Sequence, residues 1–214
     1  MDQRIYISMP IEIDQFFKKY GLMPKQIFLF CFLIIVVLLG LTGCGSTKMV
    51  VKSSDKQVLI TAKDFLEFDC QAGHDDNFGS FEKSKWLDSQ YLLNYEFDSH
   101  DSEVPCPIVI REELSVHENT SGASACYSGL EIGFNLGLFF TDFERERLDE
   151  SFEIGDNSRF ELLYADDIPI GNLFAARFDN VVYYILFLGV FFDDSESWKA
   201  LISPKIDEIN AYRP

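Results

Sequence analysis

The amino-acid sequence predicts an α+β fold, in which helices pack on an antiparallel sheet. Three apolar runs lie near the C-terminus, at 158–165, 168–178 and 181–192, and only Asp166-Asp167 and Asp179-Asn180 separate them. Two-residue Asp and Asn connections are typical of β-hairpins, so the runs predict a three-stranded antiparallel meander. Helical patterns precede and follow this meander, which completes the α+β order of elements.

Two further strands are predicted before the meander. The run YLLNYEF at 91–97 is the first clear strand, and a second strand spans Ile108 to His117. Apolar and polar residues alternate imperfectly along the second strand, with a slip at Glu112 and Glu113. We interpret the slip as a β-bulge. Neighbouring side chains of a strand point to opposite faces, so this pair is poorly placed for shared acid and base chemistry.

The first predicted helix begins at Thr120 or Ser121, which are typical capping residues, and runs towards Phe140. Three glycines recur along it at every fourth position: Gly129, Gly133 and Gly137. Residues at this spacing share one helix face. We therefore expect the glycines to let the helix lie close against the sheet, rather than to mediate oligomerisation in a membrane.

The last run of the meander, 181–192, is apolar on both faces and predicts a central strand covered by helices. A closing helix then begins at Asp194 or Ser195. We expect Pro204 to break this helix, because proline lacks the backbone N–H that a helix interior requires.

The N-terminal part of the chain has the layout of a secretory signal peptide over residues 1–43. An uncharged apolar run at 27–43 follows Lys25 and ends in small residues before Cys44. The alternative is an uncleaved transmembrane helix, since the run is close to the lower limit of about 17 residues for crossing a bilayer. Residues 1–22 are long and acidic for a signal, so we expect translation to start at Met23.

The tetrapeptide Leu41-Thr42-Gly43-Cys44 resembles the lipobox of bacterial lipoproteins. The resemblance implies cleavage after Gly43, a diacylglycerol on the Cys44 thiol and an acyl group, such as palmitate, on the new N-terminus. Several acyl chains on one residue anchor a protein stably, since each buried methylene contributes about 0.8 kcal/mol. Gly45 and Ser46 follow, without the Asp that retains enterobacterial lipoproteins in the inner membrane. The implied location is the bacterial cell envelope, at the periplasmic face of the outer membrane in a Gram-negative organism.

Residues 45–56 are small and polar, which predicts a flexible spacer between the lipidated Cys44 and a single globular domain at 57–214. The predicted order of elements in that domain is similar to the order in PsbP and Mog1-like domains. This resemblance implies a binding or assembly role.

The charge of the chain excludes one class of partner. From Cys44 onward there are 14 Lys and Arg residues against 32 Asp and Glu. Such an acidic domain repels phosphate backbones and anionic lipid surfaces. We therefore expect no nucleic-acid partner, and we expect the lipid anchor alone to hold the protein at its membrane.

Three cysteines follow the lipobox: Cys70, Cys106 and Cys126. They allow at most one disulfide, and the sequence does not select the pair. The alternative is that all three are buried thiols. The chain has no CxxC spacing after Cys44, so it carries neither a thiol-redox motif nor a zinc knuckle.

Imidazoles lie beside carboxylates at His74-Asp75-Asp76 and at Asp98, His100 and Asp101. His74, Asp76 and His100 are weak candidates for a metal site, but solvated loops explain the pattern better, and we predict no cofactor. His117 is interpreted as a surface or rim residue. No GxSxG or HExxH motif is present. The leading hypothesis is a non-catalytic lipoprotein that binds an envelope protein or a small ligand. The alternative is an envelope hydrolase or metal-dependent enzyme that uses these loop residues.

Overall fold

The computed structural model describes residues 6–7, 47–68, 79–85, 89–98, 109–139, 143–148 and 153–211. Its ten strands are β1 (Tyr6–Ile7), β2 (Thr47–Met49), β3 (Ser80–Lys85), β4 (Ser89–Asp98), β5 (Val109–His117), β6 (Phe143–Arg147), β7 (Asn157–Ala165), β8 (Ile168–Phe178), β9 (Val181–Leu188) and β10 (Val190–Phe191). Its helices are α1 (Ser53–Gln57), a 3₁₀ helix (Ala62–Phe68), α2 (Thr120–Phe139) and α3 (Ser195–Ala211).

A single eight-stranded antiparallel sheet dominates this fold. Its strand order is β2-β3-β4-β5-β9-β8-β7-β6, and β1 pairs separately with β10. The α+β prediction, with helices packed on a smaller sheet, is therefore wrong. It omitted β2, β3 and β6, which read TKM, SFEKSK and FERER. These strands lie at or beside the sheet edges, where a strand needs few apolar residues, so hydrophobic alternation does not reveal them.

The predicted C-terminal meander is confirmed as β7, β8 and β9. Its two turns place Asp166, Asp167 and Asp179 at positive φ angles of 52°, 63° and 51°. Aspartate tolerates this left-handed region better than most residues, so the sequence suits these tight turns. Strand β9 lies between β5 and β8, in the central position that its apolar composition predicted.

The main hydrophobic core lies on one side of the sheet, which we call the core face. Trp198 of α3 is fully buried there, and four phenylalanine rings surround it with centroids 5.2–5.7 Å away: Phe160, Phe174, Phe187 and Phe192. The 3₁₀ helix adds Phe65, whose ring lies 5.3 Å from that of Phe187. Aromatic pairs at such distances stabilise a core beyond the area that they bury.

The predicted bulge at Glu112 and Glu113 is absent. Strand β5 pairs without a break with both neighbours through these residues. Glu112 lies on the core face, opposite Tyr95 and Ile185, and is only 3% exposed. A buried carboxyl at an apolar position therefore produced the apparent slip in the pattern.

Both long helices differ from their predictions in detail. Asn119 caps α2, since its side-chain oxygen accepts the N–H of Gly122 at 2.9 Å, so neither Thr120 nor Ser121 is the cap. Helix α3 continues through Pro204. Proline costs about 3 kcal/mol in a helix interior. Burial of Ile202 before it and Ile209 after it offsets that cost.

Regular structure also occurs in the segment predicted to be a flexible spacer. Strand β2 pairs with β3, and α1 follows it. Asp55 of α1 is fully buried and forms an ion pair with Lys83 of β3, with 2.8 Å between Oδ1 and Nζ. This pair ties α1 to the sheet.

Candidate functional site

Helix α2 packs on the opposite side of the sheet from the core face, over β5, β8 and β9. We call this side the α2 face. Ala123 and Tyr127 of α2 contact Ala175 and Val182 there, in a small apolar cluster. Strand alternation and register then determine which charged residues share the face.

All five arginines within the described residues lie on the α2 face: Arg111, Arg145, Arg147, Arg159 and Arg177. Arg159 is paired with Ala175, and Arg177 with Val182, so both share the side of the helix contacts. This concentration of positively charged side chains on one face contrasts with the whole chain, whose formal charge is −17.

Two of these arginines bind one buried carboxylate, and a third lies opposite it on the neighbouring strand. Glu161 of β7 is 1% exposed. Arg145 Nη1 donates to its Oε2 at 3.2 Å, and Arg159 Nε donates to its Oε1. Arg159 also lies 3.7 Å from Glu131 of α2. Arg147 is exposed and sits opposite Glu161 in the β6–β7 pairing. We call Arg145, Arg147 and Arg159 the arginine cluster.

The hydroxyl of Tyr127 is buried beside this cluster. The residue is 3% exposed, and its hydroxyl oxygen has no hydrogen-bond partner among the described residues. Burial raises the pKa of Tyr127 to about 12, and Glu131 acts in the same direction, whereas Arg159 and Arg147 oppose both. The phenol is therefore neutral at physiological pH and can donate a hydrogen bond.

The other two arginines of the α2 face are paired elsewhere. Arg177 lies 3.4 Å from Asp156. Arg111 lies 3.9 Å from Asp98 and donates to the carbonyl of Phe97 at 2.9 Å. A shallow cavity of about 250 Å³ opens beside Arg111, lined also by Gly79, Ser80, Glu96, Phe97 and Asp98.

A second polar group lies under the first half of α2. Ser115 Oγ is 3.2 Å from His117 Nε2 and 3.8 Å from Cys126 Sγ. Burial raises the pKa of the Cys126 thiol to about 11, and the neighbouring Glu113 carboxylate adds to this rise. The thiol is thus protonated at neutral pH, which is the opposite of an activated nucleophile. His117 is 8% exposed rather than on the rim.

The structure bears on only some of the residues that the sequence singled out. Cys44, Cys70, His74, Asp76, His100 and Cys106 lie outside the described residues. Cys126 is a free thiol on α2. Glu112 and Glu113 point to opposite faces of β5, as expected. Within the described ranges, no group of three His, Cys, Asp or Glu residues could hold a metal ion. None of the helices described there is long and apolar enough to cross a membrane.

Sequence reasoning missed the arginine cluster. Its signal is the spacing Arg145-x-Arg147 and Arg159-x-Glu161, because residues two apart on a strand share a face. The spacing does not predict that Arg145 and Arg147 share a face unless Phe143–Arg147 is recognised as a strand. The contact between the two pairs also depends on the register of β6 with β7.

Comparison of the chain with protein-family models, with curated proteins and with solved structures finds no match.

Proposed function

We propose that this protein is a lipid-anchored lipoprotein of the bacterial cell envelope, whose domain is a non-catalytic binding or assembly module. The observation that carries the binding role is the concentration of described arginines on the α2 face of an acidic domain, and the lipobox resemblance of Leu41-Thr42-Gly43-Cys44 supports the anchor. Guanidinium groups gathered on one face, most of them paired with carboxylates, make that face chemically distinct from the rest of the domain, which favours one orientation of an approaching partner.

The position of the predicted anchor supports the same proposal. Thr47 of β2 follows Cys44 by three residues, a span of at most about 11 Å. Strand β2 is one edge of the sheet and β6 is the other, seven strand steps away. At about 4.8 Å per step, the arginine-bearing edge lies roughly 34 Å across the sheet from the anchored edge. An anchor at Cys44 therefore leaves the arginine cluster accessible to a partner in the envelope.

The test is site-specific photo-crosslinking of the full chain in intact bacterial envelopes. A photoreactive residue at Ile132 of α2, which is 56% exposed, reports on the α2 face. The control position is Glu208 of α3, whose side chain is 50% exposed. We expect one discrete adduct from position 132, none from position 208, and loss of the adduct in Cys44→Ala.

Equal labelling from both positions would contradict a specific partner on the α2 face. An adduct that survives Cys44→Ala would contradict the need for the lipid anchor. Turnover of an envelope substrate by the purified chain would contradict the non-catalytic role.

A further inference from the structure

We propose that the arginine cluster, together with the Tyr127 hydroxyl, is a binding site for a small oxyanion, meaning a phosphate or carboxylate group. The inference rests on the proposed binding function and adds the chemistry of what is bound. Its motivation is the juxtaposition of an exposed guanidinium with a buried hydroxyl that has no partner among the described residues.

Arg147 has more N–H donors than it uses within the described structure. Its hydrogen bond is to the carbonyl oxygen of Ser158, at 3.4 Å from Nη2. Arginine carries five N–H donors in a planar fork that matches phosphate and carboxylate oxygens in pairs. Since Arg145 and Arg159 already hold both oxygens of Glu161, the carboxylate within the cluster does not need Arg147.

The Tyr127 hydroxyl supplies the second half of the site. Burying a hydroxyl without a partner costs stability, and most buried hydroxyls have a hydrogen-bond partner in the protein, a water or an ion. Tyr127 packs against Ala175, whose pairing partner on β7 is Arg159. Arg147 donates to the carbonyl of Ser158, the residue before Arg159, so both arginines lie on the same part of the α2 face as the phenol. An oxyanion lying against Arg147 can accept a hydrogen bond from this hydroxyl and so contact both groups together.

The local charge favours an anion over a cation. Arg145 and Arg159 form ion pairs with Glu161 and Glu131, and Arg147, opposite Glu161 on β6, gives the cluster one excess positive charge within an acidic chain. Glu161 is too buried to attract a cation from solution. Glu131 is 39% exposed and 3.7 Å from Arg159, so it can move aside when an anion enters.

The experiment is equilibrium dialysis of the full chain, in detergent, against radiolabelled inorganic phosphate at constant ionic strength maintained with NaCl. A second series uses acetate as a competitor. We expect one phosphate per chain, and roughly tenfold weaker binding in Arg147→Gln and in Tyr127→Phe, since a charge-assisted hydrogen bond accounts for about that factor. Arg147→Lys should fall between wild type and Arg147→Gln, because lysine keeps the charge but loses the fork.

The matched control is Arg177→Gln, which removes an arginine from the same face, paired with Asp156, outside the cluster. It should bind phosphate as wild type does. Tyr127→Phe removes only the partnerless hydroxyl, so its thermal unfolding should stay close to that of wild type and show that lost binding is not lost folding. Displacement by acetate would assign the site to carboxylates as well, and no displacement would assign it to phosphate.

Absence of phosphate and acetate binding above the NaCl baseline would overturn the proposal. Equal losses in Arg177→Gln and Arg147→Gln would also overturn it, because binding would then follow total charge. Failure here is distinguishable from failure of the proposed function, since photo-crosslinking at position 132 reports a partner whether or not phosphate binds.

Discussion

Glu112 is a carboxyl group buried in the hydrophobic core, where its charged form is unfavourable. Its Oε1 accepts the N–H of Ile60 at 2.9 Å and the hydroxyl of Tyr183, whereas Oε2 is buried without a hydrogen-bond partner among the described residues. Burial raises the pKa of this carboxyl well above its ordinary value, against the hydrogen bonds from Tyr183 and Ile60. The protonated form is therefore the one that the folded domain accommodates.

The charged groups around Glu112 come from two further elements and do not reverse this conclusion. Lys205 of α3 lowers the pKa of Glu112, and Asp64 of the 3₁₀ helix raises it. The pKa of Tyr95 on β4 is itself raised to about 12, mainly by burial, so this phenol adds no charge at neutral pH. The effect of burial on the pKa of Glu112 is thus larger than the opposing effect of Lys205.

We predict that the domain loses stability as pH rises above about 4.5, and that Glu112→Gln reduces this loss. The folded pKa lies above the unfolded value, so the folded state binds more protons between the two values. Stability from this group is then complete below the unfolded pKa and is lost as pH rises through the folded pKa. The measurement is urea unfolding of wild type and Glu112→Gln at pH 5 and pH 8.

Two further variants make this measurement specific. Burial raises the pKa of Glu113 to about 7, so Glu113→Gln should remove a separate loss of stability between about pH 4.5 and 7. Glu208→Gln, on the exposed side of α3, should behave as wild type. Identical pH dependence in wild type and Glu112→Gln would mean that Glu112 does not titrate with folding.

At the scale of residues, the alternation of side chains along a strand was enough to predict which face each side chain lies on. Contacts between residues far apart in the chain were not predicted. It placed Glu112 and Glu113 on opposite faces correctly. It did not predict that Glu112 is inside, because the hydrogen bond that makes burial tolerable comes from Ile60, 52 positions earlier in the chain. Partners that distant have no local signature.

At the scale of elements, α2 offers a direct test of the expected role of its glycines. A Cβ added at Gly129 or Gly133 would meet no atom within 4 Å of the described structure, so these glycines do not allow close packing. We predict that Gly129→Ala and Gly133→Ala each stabilise the protein by about 0.5–1 kcal/mol, since alanine loses less backbone entropy in a helix. Urea unfolding provides the measurement.

Gly171 of β8 is the contrasting position. Its Cβ would lie 2.1 Å from the carbonyl oxygen of Phe187, so Gly171→Ala must displace the backbone and destabilise the sheet. Destabilisation by Gly129→Ala comparable to that of Gly171→Ala would show that the helix glycines pack closely after all.

The elements that the sequence predicted well are those with apolar composition or turn residues. The meander combines both, so β7, β8 and β9 were recognised. Charged residues occupy half of the positions of β3 and four of the five positions of β6, and the stability of both strands comes from pairing with β4 and β7 rather than from their own pattern. Missing them reduced a wide sheet to a narrower one and led to the wrong fold class.

At the scale of the whole molecule, the sheet connects the predicted membrane anchor with the arginine cluster. Strand β2 begins three residues after Cys44, and β6 closes the opposite edge. Because β2 pairs with β3, only residues 45 and 46 of the sequence separate a lipid on Cys44 from the sheet. A lipid there would hold the domain close to the bilayer, rather than on a long flexible tether.

This arrangement makes the state of Cys44 the decisive property of the molecule. We predict that the full chain expressed in a bacterial host yields a product that begins at Cys44, carries acyl chains and partitions with membranes, and that Cys44→Ala yields neither the acylated mass nor cleavage after Gly43. The physical reason is that the domain is too acidic to bind anionic lipid surfaces by itself. Intact mass spectrometry and membrane partition measure both properties.

Cys126→Ala, which removes a half-buried thiol on α2, is the matched control and should be processed as wild type. An unacylated wild-type product that retains residues 27–43 would instead identify that segment as a transmembrane anchor. The sheet would then be held at the bilayer by protein alone, about as close to it as a lipid would hold it.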